Sequence, residues 1–167
     1  MRTMTGMIAL FCLSALVVLA GCGGGGGSSP APAATKATVK LSTQGTLPQG
    51  SQLAGVNVVI KLPSGVTVNA DANNVVATGV VSVSGVAAQT GAVMTPPIYT
   101  PATATVAGSL QFTMAAGNFG VGEFATVNFI LTPGSAPPVA SDITISPADQ
   151  GLNPVTTLSV ALVTTTS

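Results

Sequence analysis

Histidine and tryptophan are missing from all 167 residues, and only 5% of the chain is charged. Without histidine there is no Ser-His-Asp triad and no His-based zinc or haem site. The four basic residues, Arg2, Lys36, Lys40 and Lys61, form no cluster. Nucleic-acid binding needs clustered Lys and Arg to neutralise phosphates, so a polynucleotide partner is excluded. A Ser-x-x-Lys nucleophile is absent too, because Ala33, Ala37 and Val58 stand three residues before Lys36, Lys40 and Lys61. Aromatic residues make up 4% of the chain, with a single tyrosine, Tyr99.

What is present is glycine, proline, valine and threonine, with 20 Gly and 12 Pro. β-Branched residues lose side-chain freedom in a helix and sit well on a pleated surface, so this mixture favours strands and turns. Near the N-terminus, Arg2 precedes an uncharged run of 13 residues, Met7 to Leu19. That run is short for a spanning helix, which needs about 20 apolar residues, and has the length of a signal-peptide core. The small residues Ala20 and Gly21 then lead into Cys22.

This segment resembles the signal of bacterial lipoproteins, whose lipobox ends in a cysteine, here Leu19-Ala20-Gly21-Cys22. The resemblance implies cleavage between Gly21 and Cys22 and lipidation of Cys22, which makes the membrane a partner through the lipid. Gly23, not Asp, follows the cysteine, which by the same resemblance favours the outer membrane. Cys12 would leave with the signal, so the mature chain would hold no internal disulfide and no free thiol nucleophile. Its formal charge would be −1, from Lys36, Lys40 and Lys61 against Asp71, Glu123, Asp142 and Asp149.

The expected organisation is a signal peptide at 1–21, a lipidated cysteine with a flexible tether at 22–36 and one domain at 37–167. Gly23 to Lys36 combines a five-glycine run with Ser, Pro and Ala. A coil of this composition and length spans on the order of 20 Å. The glycines are not a phosphate loop, since no strand precedes them and no Lys-Ser or Lys-Thr pair follows at the required spacing.

Beyond the tether the dominant period is two. Ala37–Thr43 alternates with Val39 and Leu41 on one face, and Val56–Leu62 with Val56, Val58, Ile60 and Leu62. Pro63-Ser64-Gly65 predicts a turn, and Val66–Val68 a short extension before a polar loop. Val75–Val83 is expected to be a strand interrupted at Gly79 by a bulge or kink. In Gly85–Ala104 the alternation dissolves around Pro96, Pro97 and Pro101. The expectation there is a long surface connection, with Tyr99 as a candidate surface contact or the whole as a flap over a sheet edge; a small helical turn fits the same stretch.

Alternation resumes in Thr105–Met114. In Phe124–Leu131 the apolar residues fall on both faces, which predicts a strand buried on both sides near the middle of a sheet. Ile143–Ile145 and Pro154–Val163 complete eight or nine strands, and the expected fold is an all-β antiparallel sandwich.

Two motif lookalikes carry no chemistry. Gly120-Val121-Gly122-Glu123-Phe124-Ala125 matches G-x-G-x-x-A, but that motif works by opening a helix, and here it opens an alternating strand. Asp71-Ala72-Asn73-Asn74 begins like a calcium loop, yet Val76 stands where Gly is needed and Ser82 where Glu is needed. No metal site, cofactor or catalytic residue is expected. The four carboxylates lack the supporting groups of a hydrolase.

Leu62-Pro63-Ser64-Gly65-Val66-Thr67-Val68, then Gly108-Ser109-Leu110-Gln111-Phe112, then Gly122-Glu123-Phe124-Ala125-Thr126-Val127-Asn128-Phe129 follow in an order similar to cohesin domains and related carbohydrate-binding sandwiches. The resemblance covers most of residues 37–163. It implies a nine-stranded jelly roll that binds a partner protein on one sheet face, and transfers no individual contact residue. Cohesins proper take calcium-loaded dockerins; a chain lipid-anchored by itself points to another envelope or extracellular protein. The expected function is therefore a membrane-anchored protein-binding module. The alternatives are a carbohydrate-binding module, which ordinarily stacks sugars on aromatics, and a structural envelope lipoprotein without a defined ligand.

Overall fold

The computed structural model describes residues 33–167. The proposed signal, Gly21, Cys22 and most of the tether lie outside the described residues. The elements run β1 (Lys36–Gly45), β2 (Leu53–Leu62), β3 (Val66–Thr67), β4 (Val81–Val83), α1 (Gly85–Gln89), β5 (Val93–Met94) and β6 (Ile98–Thr100). They continue with β7 (Gly108–Phe119), β8 (Glu123–Leu131), a 3-10 turn at Ala140–Asp142, β9 (Ile143–Asp149) and β10 (Leu158–Thr166).

These strands form two five-stranded sheets. The first runs β10-β1-β8, with β3 and β4 both on the far side of β8; the second runs β9-β2-β7, with β5 and β6 both on the far side of β7. All pairings are antiparallel. The long strands cross repeatedly between sheets, which is how a chain without helices closes a core between two layers. The fold is an antiparallel β-sandwich.

The period-two pattern explains the core. Val39 and Leu41 of β1 and Val127, Phe129 and Leu131 of β8 point inward from one sheet; Val56, Val58, Ile60 and Leu62 of β2 and Leu110, Phe112 and Met114 of β7 point inward from the other. Each fully buried side chain of this size contributes about 1.5–3 kcal/mol over its exposed state. The one buried polar side chain among the described residues is satisfied: the Thr43 hydroxyl accepts from the Gly122 N–H at 3.2 Å and donates to the Gly122 carbonyl at 3.4 Å.

Three local expectations are corrected. Val75–Val83 is not one kinked strand: Val75 and Val76 make only isolated bridges, Gly79 sits in a turn at φ +85°, and regular pairing starts at Val81. A left-handed glycine reverses the chain there, so the segment cannot run on as one strand. β8 lies mid-sheet but is not buried on both faces. Asn128 and Ile130 are exposed, and the apolar set breaks alternation because Phe124 is an extra residue between the pairs Leu41↔Ala125 and Ser42↔Glu123. A bulge thus places two consecutive buried residues, Phe124 and Ala125.

The Gly85–Ala104 stretch is not an irregular connection, although the small helical turn and the covering of a sheet edge offered as alternatives are both there. It contains α1 and two short edge strands, β5 and β6, hydrogen-bonded to β7. Prolines at 96, 97 and 101 interrupt these strands but are tolerated at an edge, where no second ladder needs their missing N–H. Gly85 opens α1 at φ +54°, and a Cβ there would collide with the Glu123 carbonyl, so glycine allows α1 to lie against β8.

The two ends of the sandwich chain meet. The N–H groups of Thr35 and Lys36 donate to the Ser167 carbonyl at 2.9 and 3.0 Å, and the Ser167 N–H donates to the Lys36 carbonyl at 3.0 Å. Lys36, assigned to the tether by sequence, is therefore the first residue of β1.

Candidate functional site

The four carboxylates of the described residues are held apart, each in a local role. Asp71 Oδ1 accepts from the backbone N–H groups of Asn73 and Val75, both at 2.8 Å, closing an Asx-type turn around Asn74 at φ +64°. The stretch that begins like a calcium loop is thus a polar turn. Asp142 Oδ2 accepts from the Val139 N–H at 2.9 Å and closes the 3-10 turn. Asp149 Oδ1 accepts from the Asn153 N–H at 2.8 Å. Donation by the Asn153 backbone, then by its side chain and the Gly151 N–H, holds Asp149 below the usual carboxylate range.

Glu123 Oε2 pairs with Lys40 Nζ at 3.2 Å across the β8–β1 ladder. Hydrogen bonding from Ser84 first, and from Lys40 second, lowers its pKa. Both charges are partly solvated, so the pair is a weak clasp. No group of three or more metal-ligating side chains occurs among the described residues. Gly120–Ala125 spans the β7–β8 turn and enters β8, so no helix N-terminus stands where a pyrophosphate would need one.

Tyr99 occupies the middle of β6, opposite Leu110, and its half-buried ring packs against the core. Beside it, aliphatic side chains are presented to solvent. Ile98 and its bridge partner Val75 are 63% and 62% exposed, and Val93 is 69% exposed. Sequence reasoning missed the exposed Ile98–Val75 pair because it singled out the aromatic; strand alternation puts Tyr99 inward and Ile98 outward. All four phenylalanines of the described residues, Phe112, Phe119, Phe124 and Phe129, are buried.

Two broader surfaces remain. The outer face of β9-β2-β7 is nearly uncharged, carrying Asn57, Val59, Lys61, Gln111, Thr113 and Thr144; Asn57 Nδ2 donates to Thr113 Oγ1 at 2.9 Å across the strands. On the other sheet a cleft of about 420 Å³ lies beside Ser167, lined among others by Lys36, Thr38, Asn69 and Asn128. Its polar floor is already paired: Thr38 Oγ1 donates to Asn128 Oδ1 at 2.8 Å, and Asn128 Nδ2 donates to the Gly79 carbonyl at 2.9 Å. Such a floor has little hydrogen-bonding capacity left to orient a small ligand.

Compared with known family models, curated proteins and solved structures, the chain matches none.

Proposed function

We propose that the chain is a bacterial lipoprotein, acylated at Cys22 and held at the cell envelope, with the outer membrane favoured, whose β-sandwich is a protein-binding module of cohesin-like type. The observation that carries the anchor is Leu19-Ala20-Gly21-Cys22 behind a 13-residue uncharged run and ahead of a Gly/Ser/Pro segment. Each buried CH₂ of an acyl chain contributes about 0.8 kcal/mol, so two or three chains make attachment stable where one is marginal.

Protein binding is favoured over glycan binding by where the aromatics lie. Stacking on a sugar requires an exposed ring. The phenylalanines are buried and Tyr99 is half-covered, while the exposed positions are aliphatic and small polar side chains, which suit a protein surface better.

Mass spectrometry of the membrane fraction tests the anchor. The parent should carry a diacylglyceryl modification on an N-terminal Cys22 and partition with membranes, and Cys22→Ala should move to the soluble fraction without the added mass. Equal mass and equal membrane retention of the two would defeat the reading. Affinity capture from cell-envelope extract, with immobilised protein and stringent washing, tests the module. Recovery of no specific protein would count against it.

A further inference from the structure

We infer that the free edge of β10 is a self-association surface, on which a second copy of this chain adds its own β10 antiparallel, so that the two β10-β1-β8 sheets become continuous through a two-fold axis at Leu162.

The inference starts from the hydrogen-bond phase of the β1–β10 ladder. Lys36 and Ser167 exchange both backbone bonds, and the register then runs unbroken from Ala37↔Thr166 to Gly45↔Leu158. In an antiparallel pair such double-bonded positions recur every second residue. Ser159, Ala161, Val163 and Thr165 therefore direct their N–H and C=O groups at β1. Leu158, Val160, Leu162, Thr164 and Thr166 direct theirs away from it. Among the described residues, no hydrogen bond reaches those outward groups from any other element.

Long free edges are ordinarily guarded by charge, proline or brevity. The other edge strands of the described sandwich have such guards. β3, β4, β5 and β6 are two or three residues long, and β9 carries Pro147 and Asp149. β10 is nine residues long, Leu-Ser-Val-Ala-Leu-Val-Thr-Thr-Thr, without charge, proline or glycine, and Val163 is 64% exposed on it.

A second copy is the occupant that this edge fits. A two-fold pairing centred on Leu162 sets Leu162 against itself, Val160 against Thr164 and Leu158 against Thr166. Every outward N–H then meets a carbonyl over the whole strand. No charge faces a like charge, since the strand has none. On the inner face, Val160 and Leu162 are only half-buried, though packed against the core, and a neighbouring strand would cover what is left. The chain's own residues 23–32 are a poor substitute, with five glycines and two prolines. One added strand makes a small interface. Holding copies on one membrane, as proposed above, would raise their effective concentration, but the pairing does not rest on that reading.

The register gives a sharp test. In this arrangement Ala161 of one copy faces Val163 of the other as a non-hydrogen-bonded pair, about 4.5 Å apart at Cα, within disulfide reach. Like residues sit diagonally, beyond it. Full-length chains bearing Ala161→Cys or Val163→Cys, each with a different tag, are produced alone and together, purified in detergent and oxidised. The unsubstituted chain, which has the same native cysteines, sets the background. Mixed-tag disulfide dimers should rise several-fold above background only in the combination, and fall back to it when both chains also carry Thr164→Pro, which removes an outward N–H and leaves the β1 ladder intact. Circular dichroism confirms that each variant is folded. No excess in the mixture, equal cross-linking by either cysteine alone, or persistence with Thr164→Pro would each overturn the proposal.

Discussion

Replacing Val163 and Thr164 in turn by proline should give opposite results, although the residues are adjacent in β10 and both side chains are solvent-facing. Val163 pairs with Lys40, two steps in phase from the doubly bonded Lys36–Ser167 pair, so its N–H donates into the β1 ladder. Val163→Pro deletes that bond, leaves the Lys40 carbonyl without its partner and drives a ring against β1. One lost ladder bond plus one unpaired carbonyl comes to about 2–4 kcal/mol. For a domain of this size that lowers the thermal midpoint by about 8–15 °C. The Thr164 N–H points to the free edge, where proline is tolerated. Thr164→Pro should cost less than about 1 kcal/mol, or a few degrees. Thermal unfolding followed by circular dichroism on both variants at equal concentration is the assay. Equal destabilisation, or a larger loss at Thr164, would refute the hydrogen-bond phase assigned to β10.

Two further outcomes follow from the interior and from the carboxylates. Phe112→Ala removes a ring that is 1% exposed between the sheets and should destabilise by about 3–5 kcal/mol; a denaturation midpoint close to the parent's would contradict the core as described. Glu123 and Asp149 have folded pKa values below their ordinary 4.5 and 3.8. The stability they contribute is full above those ordinary values and is lost as pH falls through the lower folded ones. Below about pH 4.5 the thermal midpoint should therefore decline, and the double variant Glu123→Gln, Asp149→Asn should show a shallower decline. An unchanged acid slope would show that the local hydrogen bonds do not favour the ionised forms.

The sequence alone determined the class of fold and the inward residues of the long strands. Alternation in Ala37–Thr43, Val56–Leu62 and Thr105–Met114 names Val39, Leu41, Val58, Ile60, Leu110 and Phe112 as core because strand geometry sends alternate side chains to opposite faces, and the buried set agrees. The proposal of a lipobox ending at Cys22 likewise rests on local sequence alone. Tertiary structure decided what depends on partners distant in the chain. The Phe124 bulge exists only against β1, and the two edge strands hidden in Gly85–Ala104 come from pairing with β7. Which strand is left as an edge is also decided by the sheet order, which leaves the outward N–H and C=O groups of β10 without a partner among the described residues. Periodicity reports which face of a strand is buried, whereas pairing is a contact between segments more than a hundred residues apart, such as Lys40 and Val163, and no local pattern encodes it.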